Sequence, residues 1–172
     1  MPQEYSLDEI KSEIDRLAAQ VGASDNLLPT YGYSIDGAHP HIDVDSNGYH
    51  YVVVERGQEI SHVTTHNLDE LLFHVFKDIT FELACAYELK HRVQHQDFRR
   101  LLFQYQIELL SMLSPKWSEI ENQEHEGILQ EHPYDDHSSI RANLSETLRQ
   151  QGFSPELAWE KACKKYPLPG KQ

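Results

Sequence analysis

The sequence predicts an α+β fold in which a short antiparallel β-meander of three or four strands packs against a mainly helical layer, with an N-terminal helix beside it. Two changes of hydrophobic period predict it. Apolar residues recur every three to four positions over residues 6–21 and again over 67–166, whereas between about residues 41 and 65 they alternate with polar ones. A single domain, residues 1–172, is expected, because a chain of 172 residues suits one core.

The first helix opens at Ser6, which forms a capping box with Glu9; Leu7, Ile10, Ile14, Leu17 and Val21 share a face before Gly22 ends it. Residues 23–40 hold Pro29, Gly32, Gly37 and Pro40 among polar residues, an irregular connection with room for a short strand around Thr30 to Ser34. From His41 the period is two. Ile42 and Val44 alternate with Asp43 and Asp45, Ser46-Asn47-Gly48 turns the chain, and Tyr49 to Glu55 returns. Arg56-Gly57-Gln58 leads into a third strand ending near Thr65, with Gly57 expected to take the backbone angle other residues avoid. Three short strands cannot bury two faces alone, so the face of Tyr49, Tyr51 and Val53 needs helices across it.

Asn67 with Glu70 makes a second capping-box-like start, and Leu68, Leu71, Leu72, Val75, Phe76, Ile79, Leu83, Ala86 and Tyr87 keep helical spacing to about His91. Beyond Gln94-His95-Gln96, a stripe of Phe98, Leu101, Leu102, Tyr105, Leu109, Met112 and Leu113 stops at Ser114. Ser114-Pro115 and Ser154-Pro155 each supply a cap and a first-turn proline. The helix after Pro115 has only Trp117, Ile120, Ile128 and Leu129 as large apolar residues. Two short helices close the chain, through Ile140, Leu144 and Leu148 to Gly152, and through Ala158, Trp159, Ala162 and Cys163 to Tyr166-Pro167.

Charge narrows the function. Fifteen Lys and Arg stand against 28 Asp and Glu, a net −13 with His neutral. Such a chain repels phosphate, so nucleic acid and anionic membrane are poor partners and a basic protein surface is a better one. Cys85 and Cys163 are too few for a disulfide framework, no apolar run approaches about 18 residues, and the first five residues lack a signal pattern; a soluble cytoplasmic protein is expected. The acids are also segregated. Glu119, Glu121, Glu124, Glu126, Glu131, Asp135 and Asp136 occupy residues 119–136 without one Lys or Arg, while residues 151–172 hold four Lys against two Glu. This stretch is expected to be exposed and negative, either a solvated helix face or a docking surface for a cationic partner. Trp117 and Tyr134 flank it as candidate anchors, core packing being the competing reading of Trp117. Arg56 either pairs with a carboxylate of the helical layer, the simpler reading, or faces a partner.

No catalytic set emerges. Glu88 and His91 have i, i+3 spacing with His95 one turn on, but a di-metal bundle needs a second such pair, and Glu59 with His62 falls in a strand. A solvated helix end is the simpler reading, and neither metal nor cofactor is expected. His39 with His41, His62 with His66, and His132 with His137 lie in loops or at element ends. No Gly-x-Ser-x-Gly elbow or phosphate-cradling glycine loop occurs, and Cys85 and Cys163 lie in apolar surroundings where thiols belong to the core.

Several motifs together resemble the immunity protein 63 family of bacterial polymorphic toxin systems, over about residues 45–166. They are Tyr51-x-x-x-x-Arg56-Gly57, Asp69-Glu70-Leu71-Leu72-x-His74-Val75-Phe76, Ala84-Cys85-x-Tyr87-Glu88-Leu89, Asp97-Phe98-Arg99-Arg100-Leu101-Leu102-Phe103, Leu113-Ser114-Pro115-x-Trp117 and His132-Pro133-Tyr134-Asp135-Asp136. The resemblance implies a cytoplasmic protein, encoded beside a toxin, that binds the cognate toxin domain stoichiometrically and protects its producer, without enzymatic activity or cofactor. From the residues alone two other classes stay open. One is a small metal-dependent enzyme around Glu88, His91 and His95; the other is an acidic scaffold or decoy covering basic surfaces.

Overall fold

The computed structural model describes residues 4–170, among which the order of elements is α1 Leu7–Val21, a 3-10 turn Asp25–Leu27, β1 Thr30–Tyr31, β2 Pro40–Asp45, β3 Gly48–Glu55, β4 Gln58–Thr65, α2 Leu68–His91, α3 Phe98–Leu113, α4 Pro115–Glu131, α5 Ser138–Gln150 and α6 Pro155–Lys165. The α+β expectation holds. The chain forms two compact units. One comprises the residues up to Leu83 with Gln106–Glu119; the other comprises Ala84–Tyr105 with the residues from Ile120 on. Among the described residues no helix is long and apolar enough to cross a membrane.

In the first unit, Ser6 and Glu9 close their capping box and Gly22 ends α1 in the left-handed conformation, φ 69°. Ile10, Ile14, Leu17 and Ala18 form its buried face, and α1 lies against β2. The sheet runs β1-β2-β3-β4 with β2, β3 and β4 as an antiparallel meander. The short strand at Thr30 is present but pairs parallel to β2, so the sheet is mixed rather than wholly antiparallel. In the connection between them Asp36, Gly37 and Ala38 are all left-handed. At the β3–β4 turn both Arg56 (φ 53°) and Gly57 (φ 72°) are left-handed, not Gly57 alone, as the twist of a two-residue hairpin requires.

Tyr49 and Tyr51 are buried on one sheet face, as expected, together with Ile42, while Val53 is half-buried, and the Tyr51 hydroxyl donates to Asp78 of α2 at 2.8 Å. Burial, reinforced by the Asp78 charge, raises the Tyr51 phenol far above its ordinary range, so it stays a donor. Asn67 caps α2 by accepting from the Asp69 and Glu70 backbones, but Glu70 does not complete a capping box; its carboxylate accepts instead from the Thr65 hydroxyl at 2.6 Å. The α2 residues Leu71, Leu72, Phe73, Val75, Phe76 and Ile79 are buried, each worth about 1.5–3 kcal/mol of apolar burial.

The second unit has a more polar interior. Ala84, Leu102, Ala158 and Ala162 are buried, but so are Glu88, Glu121, His125, Arg141 and Ser145. The stripes expected to be core are displaced outward. Ile140, Leu144 and Leu148 are half-buried, Trp159 is 44% exposed, and Phe98 is exposed. Ala158 and Ala162 explain this for α6: small residues at the contact let it approach α5 closely, and the larger side chains splay to the rim. Cys85 and Cys163 are half-buried rather than core residues.

Candidate partner-binding surface

The acidic segment begins on α4, where the helical repeat sorts its members. Trp117, Glu121 and His125, each four residues apart, are the buried side. Trp117 stacks on Phe76 with ring centres 6.1 Å apart, and its indole N–H donates to Asp69 at 3.0 Å; it is a core residue. Glu121 lies 3.1 Å from His125, whose ring lies flat on Phe103 at 3.9 Å. Contrary to the sequence reading, Glu121 is therefore not a surface carboxylate. Glu119, Glu124, Glu126 and Glu131 are exposed, Glu126 accepting from Asn122. Ile128 is 43% exposed, and helical spacing puts it on one stripe with Glu124 and Glu131. An exposed isoleucine flanked four residues before and three after by carboxylates was visible as a pattern, but not as a surface.

After α4 the remaining acids are neutralised from elsewhere in the chain. Arg100 donates through Nε and Nη2 to both oxygens of Asp136, each at 2.9 Å, and its guanidinium lies 4.1 Å above the half-buried Tyr134 ring. Arg141, only 2% exposed, donates to both oxygens of Asp135 at 2.8 Å and to the carbonyls of Tyr166 and Pro167 at 2.8 and 3.1 Å. Arg99 binds Asp97 and reaches the carbonyls of His132 and Pro133, while Asp97 accepts the Asp135 N–H and Asp136 accepts the Asp97 N–H. The exposed carboxylates of the segment are thus Glu119, Glu124, Glu126 and Glu131, while Asp135 and Asp136 are held by arginines.

Burial pushes the Asp97 carboxyl up, but the Arg99 guanidinium and the backbone N–H groups of Asp135 and Arg99 outweigh it and hold it at about 2. The hydrogen bond from Arg141 lowers Asp135, and that from Arg100 lowers Asp136. A carboxyl lowered in the folded state adds stability that is complete above its unfolded value near 4 and is lost as pH falls toward 2. Urea unfolding between pH 5 and pH 2 is therefore expected to show wild-type stability falling more steeply than that of Asp97→Asn, by on the order of 2 kcal/mol. Parallel curves would remove Asp97 from the account.

Arg56 stands exposed at the β3–β4 turn and has no ion-pair partner among the described residues, so the expected pairing with the helical layer is not formed. Glu88, His91 and His95 do not converge. Buried Glu88 gives both oxygens to Arg92 at 2.9 and 2.8 Å, His91 stacks on Tyr87 and hydrogen-bonds its carbonyl, and His95 occupies a left-handed loop position. The helix end is thus closed by an internal ion pair rather than simply solvated.

Residues 45–127, just under half of the chain, match the model of the family described as Immunity protein 63, in agreement with the motifs from Tyr51 to Trp117; His132 to Asp136 lies outside the match. No curated protein and no solved structure matches the chain.

Proposed function

Starting from a chain that carries the Immunity protein 63 pattern over residues 45–127, we propose that it acts in the cytoplasm by binding a cognate bacterial toxin domain and covering it, not by turning over a substrate. The contact centres on Glu124, Ile128 and Glu131 of α4, with Glu119 and Glu126 beside them and Arg56 as a separate second contact. One observation carries this reading: an exposed isoleucine among carboxylates, in a stretch with no cation. An apolar centre within a charged rim is how protein interfaces are built, and opposed fields steer a basic partner onto such a face. Asp135, Asp136 and Tyr134 serve the contact indirectly, by fixing the loop that follows α4. Trp117 and Glu121 secure the helix from inside.

The experiment uses the toxin domain encoded beside this chain. Co-expression should restore growth against that toxin and not against unrelated ones; a general acidic decoy would protect against basic proteins indiscriminately. In stopped-flow mixing, Glu124→Lys, Glu126→Lys and Glu131→Lys combined should slow association about 10- to 100-fold at low salt and flatten its salt dependence. Unchanged association removes α4 from the contact.

A further inference from the structure

β4 ends the sheet on one side, and its outer edge is open among the described residues. Which backbone groups point outward follows from the strand geometry, since the N–H and C=O of one residue leave an antiparallel strand on the same side and successive residues alternate. The Ile42 carbonyl accepts from the Gly32 N–H at 2.8 Å, on the β1 side, so Ile42 faces away from β3. Its partner Tyr51 therefore faces β4, and Val63, paired with Tyr51, faces back to β3. His62 and Thr64 then present N–H and C=O to the outside. Their side chains are drawn back over the sheet and leave the edge clear: His62 Nε2 lies 2.9 Å and Thr64 Oγ1 3.0 Å from His50 Nδ1. Sheet edges are usually guarded by Lys, Pro or a bulge. Residues 60–65 contain no Lys, Pro or acid, and the bulge, at Ile60, lies before the regular stretch 61–65.

We propose that two copies of the chain join antiparallel through β4 about a two-fold axis at Val63, continuing the four-stranded sheet of one into that of the other. In this register His62 of each copy pairs with Thr64 of the other, and each pair exchanges both N–H···O bonds. Val63 meets its own copy at the intervening position, with Cα atoms about 4.5 Å apart, which covers a side chain that is half-buried in the single chain. Charge selects the occupant. The chain carries a net −13, so two copies repel over most approaches, but residues 60–65 are uncharged and the register sets Glu59 opposite Asn67, not opposite another carboxylate. A basic partner, by contrast, finds no acid on this stretch, and Glu59 beside it is already held by His62 at 2.8 Å. The contact is small, so the dimer should form and dissociate with concentration.

Sedimentation equilibrium of the full chain alone tests this without any toxin. The average mass should rise with concentration from that of one chain to that of two. Thr64→Pro removes an outward N–H that takes no part in the ladder to β3, and should weaken dimerisation about 10- to 100-fold while melting shows the variant folded. Amide exchange on the wild type gives a second reading that needs no variant: protection of the His62 and Thr64 amides should rise with protein concentration. A mass of one chain at every concentration, a dimer that folded Thr64→Pro leaves intact, or a dimer with neither amide protected overturns the proposal. So does protection that appears only when the toxin domain is added, which would give the edge to that partner.

Discussion

Arg141→Met is expected to cost about 3 kcal/mol of folding stability, the low end for removing one partner of a buried ion pair because the Asp135 side chain keeps 22% exposure. Four donated hydrogen bonds are lost together, leaving the Asp135 carboxylate and the carbonyls of Tyr166 and Pro167 without them. Against the ~5–15 kcal/mol typical of a folded domain, that is a large fraction. Equilibrium urea unfolding measures it. Arg141→Lys should recover only part, since an ammonium cannot reproduce the planar fork that spans both carboxylate oxygens. Adding Asp135→Asn to Arg141→Met should return about 1 kcal/mol or more by removing the stranded charge. A loss below 1 kcal/mol for Arg141→Met would mean that water replaces the guanidinium and that the cluster contributes little.

Trp117→Ala should be the most damaging change in the first unit, at about 3–5 kcal/mol, because it empties a large volume against Phe73 and Phe76. Trp117→Phe separates packing from hydrogen bonding. It keeps a ring against Phe76 but loses the donation to Asp69, which still holds Lys116 at 2.7 Å, so about 1 kcal/mol is expected. The same pair of variants bears on the contact with a toxin. If Trp117 only supports the fold, Trp117→Phe lowers stability and leaves toxin affinity unchanged. A tenfold loss of affinity in a folded Trp117→Phe would return this residue to the interface.

The parts of the fold legible in the sequence are those set by local rules. Ser6, Glu9 and Gly22 delimit α1 through backbone hydrogen bonding within a few residues, and the switch to a two-residue period marks the meander as far as Thr65. What was not legible depends on partners distant in the chain. Asp136 reads as surface charge until Arg100 is seen across it, 36 residues away, and Asp97 binds the Asp135 backbone from 38 residues away. Glu121 is a different case. It lies one helical turn after Trp117, so the burial of one implied the burial of the other, and counting acids without placing them around the helix concealed it. The His50–His62 approach required a strand register, which composition does not encode.

The guanidinium groups of Arg99, Arg100 and Arg141 tie residues 132–136 to α3, to the loop before it and to the segment after α6. That stretch has surrendered its conformational freedom on folding, before any encounter takes place. A molecule gripping α4 near Glu131 therefore loses little entropy to ordering the backbone there, and pre-organisation of this kind appears as slow dissociation rather than as added contacts.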